Sequence, residues 1–227
     1  HHFLKPYLLN KKNVLEINCG TGEDARWLGS QGLKVEASDI SEGMIEVCKQ
    51  KKVPANFSVC DTRNLLSKYN TQLFDMIFSN FGGLNCLNPG EIKQFMADST
   101  ELLKPNGMIA AVIMGRNCIW ERYYFRKKKD SRKNRRLAKT GVNTTIKGEH
   151  FLTYYYSPGE FYDAGKEYFE LVACKPIGLF VPPSWFNQGF KNKKGLLGAL
   201  YFFEKLFPVS FFADKADHYL ILLQKRA

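Results

Sequence analysis

Val14-Leu15-Glu16-Ile17-Asn18-Cys19-Gly20-Thr21-Gly22 decides the fold. An apolar run carrying a single acid breaks into a turn with two glycines, and a helical pattern follows from Glu23 to Ser30. This is the signature of a buried strand, a tight loop and a helix. Glycines let backbone approach a ligand without Cβ interference. The helix behind them offers unpaired N–H groups and the positive end of its dipole. Glu16 discriminates between ligands, because a carboxylate in a central strand is costly unless something pairs with it. The stretch predicts a site for a small molecule with cationic and hydrogen-bonding groups.

Gly20-Thr21-Gly22-Glu23-Asp24-Ala25 also fits the dinucleotide pattern G-x-G-x-x-G/A. Three features oppose that reading. Glu16 would lie beneath a pyrophosphate, where negative charge is unfavourable. Glu23 and Asp24 would crowd the helix end that should receive phosphates. Only one such half is present, whereas a dinucleotide fold usually has two. A sulfonium nucleoside is positively charged and has no phosphates, so it meets none of these objections.

Leu33 to Asp39 alternates as a second strand ending in a carboxylate placed to accept from vicinal ribose hydroxyls. Ser41 reads as a helix cap, with Met44, Ile45 and Cys48 on one face. Ala55–Asp61 and Phe74–Asn80 are further strands. Pro105 stops the helix that follows, and Asn106-Gly107 turns into a fifth strand. Taken singly, each acid is as well explained by a capping or solvated loop role. Together Glu16, Asp39 and Asp61 fall near the carboxyl ends of successive strands, where open α/β sheets bind ligands.

With these pieces in order, residues 13–115 resemble the class I S-adenosylmethionine-dependent methyltransferases. LEINCGTG is similar to the family's acid-x-G-x-G-x-G motif, with Asn18 in place of the first glycine. Asn tolerates left-handed backbone better than other non-glycine residues. The resemblance implies a Rossmann-like, seven-stranded, mostly parallel sheet with its last strand antiparallel, helices on both faces and an inserted lid. It implies S-adenosylmethionine as cofactor, held by Glu16, Asn18, Cys19, Gly20 and Gly22, with Asp39 on the ribose. Ile40, Met44, Asp61 and Thr62 would surround adenine, and Asn80 and Phe81 would lie where the methyl group is presented.

A chain of 227 residues with 44% hydrophobic content can bury a substantial core. Its apolar runs are too short to span a membrane. The chain opens on His1-His2, which predicts a missing upstream segment, and both are set aside for the fold. Six cysteines without a C-x-x-C pair indicate a reduced, cytoplasmic protein with no structural metal. Cys19, Cys48 and Cys60 read as small buried hydrophobes.

Net charge is +11, and Arg116–His150 alone holds 12 Lys/Arg against 3 Asp/Glu. The organisation predicted is a cofactor half (1–115), an inserted basic and aromatic lid (116–156) and the rest of the sheet (157–227). A second insertion covers 178–212, including Trp185 and a helix over Leu196–Phe207. The lid combines a helix at Trp120–Phe125, the basic run Arg126–Arg136 and a hairpin over 141–156. Ser157-Pro158 starts the next helix, and Phe169–Cys174 and His218–Lys225 are strands six and seven. Both insertions are expected to roof a pocket above Asn80-Phe81.

The basic run reads first as a solvated mobile loop, and otherwise as a nucleic-acid contact or an attractor of an anionic small molecule. The stretch after the fourth strand lacks the N/D-P-P-Y/F motif of amino-methylating nucleic-acid enzymes, which lowers the second reading. The function expected is therefore methyl transfer to a small-molecule O or N acceptor. An RNA methyltransferase using 122–139 and a non-catalytic cofactor-binding subunit are the alternatives. Where a base is needed, His150 in the hairpin is the candidate, and His218 reads as structural.

Overall fold

The computed structural model describes residues 1–146, 148–183, 194–206 and 209–226. Trp185 and Phe207 lie outside them. Seven strands form one sheet in the order β3-β2-β1-β4-β5-β9-β8. They are β1 (Asn13–Ile17), β2 (Lys34–Asp39), β3 (Asn56–Val59), β4 (Phe74–Ser79), β5 (Leu103–Met114), β8 (Phe169–Ile177) and β9 (His218–Lys225). The first five pair in parallel, and β9 runs antiparallel between β5 and β8. The expected sheet is thus observed, with its strand order reversing between β1 and β4. That reversal opens a crevice at the carboxyl ends of the strands.

Apolar runs buried on both faces explain the central position of β1, β4 and β5. One face packs against α1 (Glu23–Ser30), α2 (Glu42–Gln50) and the N-terminal segment, through Leu4, Leu8, Ala25, Leu28, Ile45 and Phe78. The other packs against α4 (Pro89–Leu102) and α6 (Pro158–Asp163), through Ile77, Phe95, Met96, Phe161 and Tyr219. The remaining helices are α3 (Leu65–Tyr69), α5 (Ile119–Lys127) and α7 (Lys194–Leu206). Ser41 caps α2 by accepting from Met44 N, and Ser157 forms a capping box with Glu160 on α6. His1, set aside above, makes contacts although exposed: its ring stacks on Trp27 at 3.9 Å and bonds Asp24.

Two expectations need correction. The chain passes from α4 straight into β5, so Pro105-Asn106-Gly107 is a bulge inside the strand rather than the turn before it. Register moves from Phe74↔Leu103 to Met76↔Met108, and Asn106 takes a left-handed φ of 59°. A Cβ on Gly107 would meet the Lys104 carbonyl at 2.8 Å, so glycine is required there.

The basic run is solvated only in part: residues 126–129 and 131–134 are exposed, whereas the end of the run turns inward. Residues Ser131–Leu137 form a 3-10 segment, and Arg136 is 6% exposed. Glu121 of α5 is 2% exposed and receives Arg135 and Arg136, each at 2.9 Å. Arg136 also donates to the Gly115 and Asp217 carbonyls and to the Asp217 carboxylate at 2.6 Å. Its guanidinium lies over the Tyr155 ring. One arginine thus joins α5, the end of β5, the entry to β9 and the chain leaving the hairpin. That hairpin is β6 (Val142–Ile146) and β7 (Glu149–Thr153), paired as expected.

Candidate cofactor and acceptor site

The loop after β1 makes a left-handed step at Asn18 (φ 57°), Gly20 (52°) and Gly22 (76°). Asn18 manages this as expected of its residue type, and its side chain has a second task. Its amide donates to Ser79 Oγ at 3.4 Å and its oxygen accepts from Thr62 at 3.0 Å. These bonds tie the ends of β1 and β4 to the segment beyond β3. The side chain fits because residue 83 is glycine: a Cβ there would fall 2.4 Å from Asn18 Cβ.

Asp39, at the tip of β2, accepts from Gly20 N at 2.8 Å and from Ser41 N at 2.9 Å. Each carboxylate oxygen therefore spends one acceptor position on the fold and keeps another for a ligand. Ile40 beside it is 60% exposed, an apolar face with nothing packed over it, and Met44 is half-buried. Thr62 is buried behind Asn18. Cys19 and Cys48 are buried too, and Cys48 Sγ donates to the Gly20 carbonyl at 3.3 Å, bracing the loop from below. Burial pushes both thiols up, so they act as hydrophobes and braces.

Glu16 lies under this loop and is 2% exposed. Its Oε2 is buried with no hydrogen-bond partner, which sets it apart among the described side chains. Burial first, and then the charges of Asp24 and Asp39, push its carboxyl from 4.5 to about 9. Among the described residues no cation pairs with it.

Asp61 behaves differently. Arg63 holds both of its oxygens in a fork, and the Arg63 backbone N–H adds a third donor. Hydrogen bonds from Arg63 hold this carboxyl below its ordinary range despite partial burial. Asp61 caps the 3-10 turn Thr62–Asn64. Sequence reasoning did not anticipate Arg63, which also reaches Glu91.

At the tip of β4, Asn80 donates to Asp24 Oδ2 at 2.8 Å and accepts from Phe81 N. Phe81 is 73% exposed with φ 46°. A bulky residue in left-handed backbone is strained, and such strain collects at functional sites. Beside it opens a cavity of about 630 Å³ lined by Asp24, Phe78, Asn80, Phe81, Val112 and Leu220 and closed by Tyr201 and Lys205 of α7. Residues of the second insertion thus line the space beside Asn80-Phe81, whereas none of 116–156 is among its lining. Glu204 of α7 shapes that cover by accepting from the backbone N–H groups of residues 179–181.

Neither His150 nor His218 is among the residues lining this cavity. His150 is exposed on the hairpin, where its Nδ1 meets Thr145 Oγ1 at 2.8 Å. His218 comes nearer. Its ring stands edge-on to Phe81 with centroids 6.0 Å apart, and its Nδ1 bonds Asp217 Oδ2 at 3.1 Å. Burial opposes ionisation of Asp217, but His218 and Arg136 outweigh it and hold the carboxyl at about 2. Aspartate next to histidine at the head of β9 was the available signal. Among the described residues no His, Cys, Asp and Glu side chains group as metal ligands, and no helix is long and apolar enough to cross a membrane.

Comparison with known proteins agrees with this geometry. A family model described as a methyltransferase domain matches residues 14–107. The biotin biosynthesis bifunctional protein BioHC of Cellvibrio japonicus is 32% identical over 103 residues, 45% of this chain and 20% of that protein. Demethylmenaquinone methyltransferase of Renibacterium salmoninarum is 31% identical over 98 residues, 43% of this chain and 39% of that protein. The chain thus spans well under half the length of these relatives. A solved S-adenosylmethionine-dependent methyltransferase from Methanosarcina mazei shares the fold, with TM-score 0.68 and 18% identity over 99% of this chain and 97% of that one. Residues 14–107 thus match a methyltransferase domain, and the whole chain shares the fold of a solved S-adenosylmethionine-dependent methyltransferase.

Proposed function

We propose that the protein transfers a methyl group from S-adenosylmethionine to a small, largely apolar acceptor held in the cavity beside Phe81. The observation that carries this reading is the unpartnered, buried Glu16 Oε2 beneath the glycine loop. A buried acceptor without a donor costs about 1–3 kcal/mol. The ammonium of the cofactor's methionine portion would supply that donor. Asp39 would take the ribose hydroxyls on its remaining acceptor positions, and Ile40 would lie against adenine. The forked Asp61–Arg63 pair leaves Asp61 little capacity for the adenine amine, so its share of affinity is small.

The bound cofactor supplies the reactive carbon, on a sulfonium that departs as a neutral thioether. Positioning is the protein's main contribution, and alignment in a water-poor pocket is worth several kcal/mol. Asn80 and Asp24 fix the loop that sets the cavity wall, and Phe81 covers its edge. An acceptor hydroxyl must also lose its proton as the new bond forms. His218 is the better-placed base: Asp217 orients its Nδ1, which leaves Nε2 to accept. That places on His218 the role first expected of His150.

The cavity carries Glu23, Asp24 and Glu204 beside Lys205, so its lining does not select an anionic acceptor. Arg132, Arg135 and Arg136 are already committed to Asp130, Glu121 and Asp217, so the RNA reading would fall to the other cations of 122–139. Isothermal titration with S-adenosylmethionine tests the proposal. Micromolar binding is expected, and absence of binding to both donor and demethylated product would overturn it. With an acceptor in hand, His218→Gln should lower kcat by about 10²–10⁴ and flatten its pH profile, at unchanged donor affinity. His150→Ala should leave turnover intact.

A further inference from the structure

The helix that closes the cavity is apolar on faces that no described residue covers. In α7, Leu196, Tyr201 and Leu206 are exposed, as is Phe202 at 59%, while Glu204 is turned inward. Just beyond it, Val209 is exposed and Phe211 is 82% exposed. Aromatic and leucine side chains at this density normally lie in a core or mark an interaction surface.

Beside this apolar ridge runs a basic one. Arg122 and Arg126 of α5 converge with Lys133 on a groove of about 480 Å³ that also carries Ile119 and Tyr123. None of the three cations forms an ion pair among the described residues. Their neighbours Arg132, Arg135 and Arg136 all do. The helices that carry the two ridges are joined through residue 179. Trp120 of α5 donates to the Leu179 carbonyl at 2.8 Å, and Leu179 N donates to Glu204 of α7 at 3.1 Å. Asn117, just before α5, bonds Asp214, close behind Phe211.

We propose that α7 and Phe211, flanked by the basic face of α5, dock the protein onto the surface of an anionic lipid bilayer. A helix with aromatic and leucine side chains beside Lys and Arg has the composition of an interfacial element. Charge selects the occupant. A second copy would bring another +11 chain against this one, whereas an anionic leaflet attracts it. The position of the ridge adds a functional consequence. Tyr201 and Lys205 of the same helix close the cavity, so an apolar acceptor dissolved in the bilayer would enter beneath α7 without crossing water. That consequence rests on the proposed methyl transfer; the docking itself does not.

Vesicle co-sedimentation of the full chain, without cofactor, tests the docking. The probes are pure phosphatidylcholine vesicles and vesicles with about one-third phosphatidylglycerol. Binding to the anionic vesicles is expected, weakening with salt. Phe202→Ser with Phe211→Ser should weaken it by at least tenfold. Arg122→Glu with Arg126→Glu should weaken it by about twentyfold or more. Circular dichroism and donor titration of both variants establish that the fold and cofactor site persist. Absence of binding to anionic vesicles overturns the proposal. So does a dimer in sedimentation velocity that the Phe202/Phe211 variant dissociates, or tighter binding to single-stranded RNA than to vesicles. Vesicle binding without donor binding would sink the proposed function and spare the docking, and the converse would do the reverse.

Discussion

Glu16 and Glu121 are equally buried, each 2% exposed, yet they sit in opposite circumstances. Glu121, in the lid, receives two arginines and has no vacant oxygen. Glu16, beneath the glycine loop, keeps one oxygen with no partner, and its carboxyl is pushed up to about 9. Burying a carboxylate is expensive in either place. The lid meets the cost within the chain, which makes Glu121 a structural joint. The cofactor half leaves the cost unmet, which is the physical mark of a group that waits for a ligand.

The contrast can be broken by mutation, beginning with the largest effect. Arg136→Ala takes one of the two arginines from Glu121 and leaves Asp217 with His218, and should cost about 3–5 kcal/mol in denaturant unfolding. A cost below about 1 kcal/mol would remove the joint. Glu16→Gln should do the opposite in alkaline solution. The folded protein holds the Glu16 proton more tightly than the unfolded chain, so its contribution is fully present below pH 4.5 and is lost as pH rises towards about 9. Within that window the wild type should lose up to about 1.4 kcal/mol per pH unit relative to Glu16→Gln. Parallel stability curves for the two proteins would contradict the unpartnered carboxylate.

Smaller effects separate the other acids of the cofactor half. Asp39→Ala should weaken S-adenosylmethionine binding by at least about tenfold, equivalent to about 1.4 kcal/mol. It removes the Gly20 tether together with the proposed ribose contact. Asp61→Ala breaks a partly exposed fork with Arg63 and should change donor affinity by less than about threefold. Equal losses in the two variants would erase the distinction drawn between them.

The cofactor half was readable in advance because its information is local. Alternating or continuous apolar runs define β1, β2 and β4, and serine caps mark α2 and α6. The glycine loop sets the start of α1 at Glu23. The bulge in β5 was missed because Pro105-Asn106-Gly107 has the composition of any turn. Only the register against β4 reveals that the strand began before it. The arginine joint was hidden for a different reason. Arg136 and Asp217 lie 81 residues apart, and nothing in a run of eleven mostly basic residues tells which cations turn inward. Asp61 shows the same limit: its place beyond β3 was visible, whereas its capture by Arg63 depends on side-chain geometry.

The central claim is that Glu16 awaits a cation, and proton counting tests it most directly. Isothermal titration of S-adenosylmethionine at pH 7, in buffers of differing ionisation enthalpy, measures protons exchanged on binding. The account predicts that the wild type releases about one proton more than Glu16→Gln, because the bound ammonium ionises the carboxyl. Identical proton counts and identical affinities in the two proteins would contradict it.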